Sequence, residues 1–190
     1  MSEPVEFGQV HIVSYGLLRL TNDALHLLQG VEAFGEKRPD RVTMPKNHDW
    51  YSLAYSSLLK NLVLDVASLL DRAKYGKDSN CNFRELKYVL ESDETRKKRY
   101  HNAIDEIDNL LGKYKNVVPD TLRNKVIAHK DLEELFSGDD YDVNLIEITR
   151  FLLEGHKIIS DMFRLTFGIA IKEPDLNNIK QVYEDSLTLQ

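Results

Sequence analysis

The stretch VHIVSYGLLRLTNDALHLLQGV, Val10 to Val31, carries Val10, Val13, Leu17, Leu20, Ala24, Leu27 and Val31 at alternating spacings of three and four. An α-helix turns about once every 3.6 residues, so these side chains fall in one stripe; a strand would need every second residue. The stretch is therefore predicted as one long helix burying a heptad-like seam. The same period returns at Leu59, Leu62, Val66 and Leu69, in a second helix expected from about Trp50 to Arg72. It returns again at Leu145, Ile148, Leu152, Ile159 and Met162, in a last long helix that starts at Asp142 or Asn144 and ends near Gly168.

Shorter helices fit between these. FGEKRPDRVTMPKNHD (34–49) breaks the period with two prolines and many polar residues and reads as a loop. After the turn-rich YGKDSNCN, Asn82 is a plausible cap for a short helix through Leu90. Ser92 or Asp93 caps the next, which turns Ile104, Ile107, Leu111 and Tyr114 inward and ends in the run from Gly112 to Pro119. Pro119 and Asp120 suit the start of a further helix, because proline is tolerated in a first turn and aspartate caps. FSGDDYD reads as the following loop, and beyond about residue 172 the chain is expected to be a polar, peripheral tail. The expected fold is all-α, a helical bundle of long up-and-down helices with short ones inserted, in a single domain spanning residues 1–190.

Composition narrows the function classes. The chain has 190 residues, 42% hydrophobic and 29% charged, which suits a soluble domain with a sizeable core. Cys81 is the single cysteine, which excludes an intrachain disulfide and fits a reducing cytosol. MSEPVEFGQV lacks the basic and apolar regions of a signal peptide, and LVLDVASLL is short and interrupted by Asp65, so a cytoplasmic protein with no membrane span is expected. The formal charge is −6, against indiscriminate nucleic-acid binding. Yet Arg96 to Lys130 holds nine Lys and Arg against four Asp and Glu, a local +5 that the remainder offsets with −11. Such a segment is either a solvated helix face or a phosphate-binding surface.

Within that segment stands RNKVIAH, Arg123 to His129. On a helix Leu122, Val126 and His129 share a face, and Arg123 lies about 9 Å along the axis and about 120° around it from His129. One reading pairs a proton-transfer group titrating near neutrality with a permanent cation, which is what phosphodiester cleavage needs. The other makes His129 an interior histidine beside an ordinary surface arginine.

LRNKVIAHKD (Leu122 to Asp131) resembles the signature of the HEPN superfamily of α-helical ribonucleases and toxins, an arginine followed by a polar residue and, a few positions on, a histidine. Arg123, Asn124 and His129 match it residue by residue. LVLDVASLLDRAKYGKDSNCNFRELKYVL also resembles the abortive-infection AbiU-type branch, with Asp71 as the matching aspartate after a long helix. The resemblance covers about Asp49 to Gly168. It implies a homodimer whose two motifs meet in one cleft and cut RNA without metal or other cofactor, leaving a 2′,3′-cyclic phosphate. His129 is then general acid or base, Arg123 the phosphate clamp and Asn124 an orienting group. A cognate antitoxin or modifying enzyme is a further implied partner. A HEPN module that only binds nucleotide, RNA or a partner protein is the alternative.

Lys125 and Lys130 flank the motif as RNA-binding candidates. RKKRY (Arg96, Lys97, Lys98, Arg99, Tyr100) is a second phosphate surface on this reading, with Tyr100 stacking on a base, or else a solubilising first turn. His48 and Asp49 match one piece of an HD-type metallohydrolase, and Asp23 with His26 and His101 with Asp105 have ligand-compatible spacing. These matches are too short to favour a metal site. His11 and His156 have no evident partner. No Gly-rich phosphate loop, nucleophile elbow or cysteine pair is present, and Cys81 has no evident activating neighbour.

Overall fold

The computed structural model describes residues 3–36, 45–71, 81–119 and 143–188. Its elements are helices: α1 (Glu3–Glu36), α2 (Pro45–Leu70), α3 (Phe83–Glu91), α4 (Glu94–Arg99), α5 (His101–Lys113), α6 (Leu145–Phe167) and α7 (Leu176–Thr188), with no strand among the described residues. The helix expected from Pro119 and the loop FSGDDYD lie outside them.

The core follows the sequence periodicity. Val10, Val13, Leu17, Ala24 and Val31 of α1 are buried against Leu59, Leu62, Val66 and Leu69 of α2, and Ile148, Leu152, Ile159 and Met162 of α6 join them. α1 and α2 run antiparallel, since Phe34 near the end of α1 meets Trp50 and Tyr51 near the start of α2, at ring separations of 5.8 and 5.7 Å. Trp50–Leu70 is long and apolar enough to cross a membrane, with a mean hydropathy of 1.3; 39% of that window is buried, and the helix packs on α1. Burial and the nearby Asp23 hold the Asp65 carboxyl, in the C-terminal part of α2, above the usual carboxylate range.

Capping chemistry sets several boundaries. Asn82 starts α3 by accepting the Glu85 N–H at 2.7 Å. Asp93 starts α4 by accepting the Thr95 and Arg96 N–H groups at 2.9 and 2.8 Å. Asn144 caps α6 and accepts the Glu147 N–H at 3.1 Å. Gly168 ends α6 in the left-handed conformation, φ 68°.

Three boundaries differ from expectation. α2 begins at Pro45, inside the stretch read as loop, consistent with proline's place in a first helical turn. The helix expected from Ser92 through Tyr114 is broken at Tyr100 into α4 and α5. Residues after Pro174 form α7, capped by Asp175 accepting the Asn178 N–H at 3.1 Å, and α7 packs on α1.

His156 of α6 is 3% exposed, with Nδ1 3.3 Å from the Ser160 hydroxyl. Burial pushes its pKa below the ordinary 6.5, against the opposing charge of Glu173. The folded state thus favours the neutral ring, while the unfolded chain takes up a proton near the ordinary value. Stability is complete above that value and falls as pH drops below it, by at most about 1.4 kcal/mol per pH unit. Urea unfolding at about pH 7.5 and pH 5.5 should show a larger loss for the natural protein than for His156→Gln. Equal losses would mean that this ring protonates freely in the fold.

Candidate functional site

Arg123, Asn124, Lys125, His129 and Lys130 lie between Pro119 and Val143, outside the described residues. The frame on either side of that segment is described. On its N-terminal side, α5 ends at Tyr114, whose carbonyl accepts the Val117 N–H at 3.0 Å, and Val117 and Val118 are buried. On its C-terminal side Val143 packs against the core and Asn144 opens α6. A cluster ties the two sides together. The Tyr114 hydroxyl donates to Glu154 Oε1 at 2.8 Å, and Lys113 Nζ donates to the same oxygen at 2.6 Å. The Tyr114 ring packs on Phe151 of α6 at 5.6 Å, and Lys113 Nζ sits 4.9 Å from its centre.

These contacts set the local protonation. Burial pushes the Glu154 carboxyl up, but the hydrogen bonds from Lys113 and Tyr114 outweigh it and leave the group below the usual carboxylate range. The hydrogen bond to Glu154 holds the Lys113 ammonium above its ordinary value, and burial raises the Tyr114 phenol. Near neutrality the cluster is therefore a charged pair with a neutral phenol, suited to fixing the end of α5 against α6 rather than to proton transfer.

Beside it, a cleft of about 310 Å³ is lined by Glu106, Asn109, Lys113, Glu154, Lys157 and apolar side chains of α5 and α6. Ile146, Arg150, Leu153 and Lys157 follow one another along the outer face of α6 at helical spacing. All four are exposed, Ile146 at 65% and Leu153 at 39%. A mixed apolar and basic stripe thus begins where the motif segment rejoins the bundle.

The second set of candidates is divided by the helix on which it sits. Arg96, Arg99 and Tyr100 fall at i, i+3 and i+4 and make intramolecular contacts. Arg96 Nη2 donates to Ser92 Oγ at 3.1 Å, and Arg99 Nη2 donates to the Leu165 carbonyl in the last turn of α6 at 3.2 Å. Tyr100 is 2% exposed, with its hydroxyl 2.8 Å from Thr166 Oγ1. That burial corrects the expectation that Tyr100 stacks on a base: the ring has no open face. Lys97 and Lys98 are exposed and remain available to phosphate. Because α5 and α6 are antiparallel, with Tyr100 at Thr166 and Lys113 at Glu154, α4 lies at the end of α6 opposite Asn144.

The HEPN AbiU2 family model, described as AbiU2, matches residues 19–187, nearly the whole chain. The chain belongs to the AbiU2 family of HEPN proteins. No curated protein and no solved structure matches it. The matched span includes both sides of the Arg123–His129 motif and the helices that frame it. This AbiU2-family chain is an abortive-infection HEPN module with an all-α fold.

Asp71, the aspartate of the branch resemblance, directly follows α2, and its N–H donates to the Ser68 carbonyl at 3.3 Å. Among the described residues, no three His, Cys, Asp or Glu side chains converge as metal ligands. His101 Nδ1 lies 3.1 Å from the Lys98 carbonyl, and Cys81 is half-buried. The Lys113–Tyr114–Glu154 cluster was not legible as a unit: helical period places Tyr114 inward, but nothing in the sequence pairs it with a glutamate 40 positions away.

Proposed function

We propose that this AbiU2-family protein is a metal-independent endoribonuclease that acts in phage defence or as a toxin. The observation that carries the reading is the Arg123, Asn124 and His129 pattern inside the span matched by the family. His129 takes the proton of a ribose 2′-OH or supplies one to the leaving oxygen. The 2′ oxygen bonds to the adjacent phosphorus as the P–O5′ bond breaks, giving a 2′,3′-cyclic phosphate and a 5′-OH. Arg123 balances charge on the phosphoryl oxygens, with the planar fork that suits them. Asn124 orients one of the two. Lys125 and Lys130, with Lys97 and Lys98 on α4, hold the RNA backbone.

The site is composite in this reading, formed by two copies of the chain in the cytoplasm and held in check by an antitoxin or modifying enzyme. The exposed Ile146 and Leu153 on α6 supply an apolar strip for the second copy, and Arg150 and Lys157 add positive charge there.

RNA cleavage is expected to persist in excess EDTA and to leave ends without a free 3′-OH. A substrate with 2′-deoxyribose at the cut position should resist, since its nucleophile is missing. Equal cleavage of that substrate would rule out 2′-OH attack. Light scattering should report a dimer at tens of micromolar, and a monomer there would remove the composite site.

A further inference from the structure

The burial of Tyr100 leaves α4 with exposed cations and no ring of its own for a base. The neighbouring surface has two. His11 and Tyr15 are exposed on α1, at i and i+4, with ring centroids 6.2 Å apart and planes inclined by 28°. His11 is fixed from behind: its ring meets Phe167 edge-on at 5.0 Å and Phe163 at 6.0 Å. Tyr15 stands 58% exposed, with Ile12 beside it at 64%. The last turn of α6 joins this pair to α4, for Thr166 contacts Tyr100 and the next residue, Phe167, contacts His11. Lys97, Lys98 and the aromatic pair therefore occupy the same end of the bundle.

We propose that His11 and Tyr15 form a stacking site for an unpaired nucleobase of RNA, with Lys97 and Lys98 holding the adjoining phosphates. The two rings already stack on each other, so the exposed side of Tyr15, backed by His11, is the surface an unpaired base can lie against. Aromatic faces accept any base, and neighbouring ammonium groups supply the sequence-independent attraction for the backbone. This site rests on the ribonuclease reading for its substrate. Its role is positioning: it captures RNA, and the bond-breaking groups are those proposed in the motif.

The test uses the full chain and a fluorescent single-stranded oligouridylate with 2′-O-methyl groups, which cannot be cleaved by 2′-OH attack. Binding is therefore read independently of catalysis. Tyr15→Ala and Tyr15→Leu should weaken binding by about 5- to 100-fold, the range for loss of one base–aromatic stack, while Tyr15→Phe stays near the natural affinity. Replacing Lys97 and Lys98 together by alanine should flatten the salt dependence of binding. A 2′-O-methyl duplex of equal length should bind more weakly than the single strand, because its bases are already stacked. On cleavable RNA, Tyr15→Ala should raise KM and leave kcat unchanged. If Tyr15→Ala or Tyr15→Leu binds as tightly as the natural protein, or if the natural protein binds no single strand, the stacking site is wrong. Tight single-strand binding that depends on Tyr15 but comes without any cleavage would keep this site and remove the ribonuclease reading instead.

Discussion

Phe83→Ala should lower the stability of the domain by about 3–5 kcal/mol, the usual cost of emptying a buried phenylalanine site. Phe83 is fully buried, opens α3, and lies edge-on to Phe151 of α6 at 5.9 Å. Its ring reaches the α6 backbone at Gly155, where an added Cβ would stand 2.6 Å from the ring's Cζ. The ring thus fills the space that a missing side chain leaves, and α3 and α6 have little slack with which to close the cavity. A loss of this size is about a fifth or more of the stability of a typical domain, about 5–15 kcal/mol. Gly155→Ala probes the same joint from the other side. Alanine improves helix propensity by about 1 kcal/mol, while overpacking a rigid buried ring costs about 1–3 kcal/mol. The net effect should be destabilising. Phe83→Leu in the same chain should relieve part of it, which a double-mutant cycle measures. Urea midpoints for the natural protein and the four variants report these effects. A Phe83→Ala loss under about 1 kcal/mol would show that the joint collapses freely and that α3 is not anchored there.

The parts of this fold legible in the sequence are those decided locally. Asn82, Asp93, Asn144 and Gly168 mark helix ends through their own side chains or backbone freedom, and each stands where the sequence places a boundary. The break at Tyr100 has no such mark, since neither glycine nor proline is near. Around it, Arg99 bonds the Leu165 carbonyl and Tyr100 bonds Thr166, both across 66 residues of sequence. Those same contacts overturn the stacking role read for Tyr100. A run such as RKKRY shows which residues share a face, but not which face the bundle covers. His11 and Tyr15 have the converse history: their spacing is visible in the sequence, and only packing against Phe163 and Phe167 shows how the pair is presented. The Arg123–His129 motif was found by pattern and resemblance, and its chain is an AbiU2-family member, while the motif's own geometry lies outside the described residues.

His129→Ala should reduce RNA cleavage by about 10²-fold or more while leaving the fold intact, because it removes the proposed proton-transfer group and little else. Arg123→Lys should also impair cleavage, since an ammonium keeps the charge but loses the planar fork that meets two phosphoryl oxygens. The Lys113–Tyr114–Glu154 cluster gives a contrast. Tyr114→Phe removes the hydrogen bond to Glu154 without touching the proposed chemical groups, so it should change stability more than the pH profile of cleavage. If His129 instead packs in the interior as a satisfied polar group, His129→Ala should cost about 1–3 kcal/mol of stability, and no cleavage would exist to be lost. The two arrangements therefore give opposite pairings of melting temperature and activity in one set of purified variants. A stable, inactive His129→Ala protein supports the catalytic role. A natural-like melt with natural-like cleavage would take this histidine out of both roles and shift the search for the proton-transfer group elsewhere in the chain.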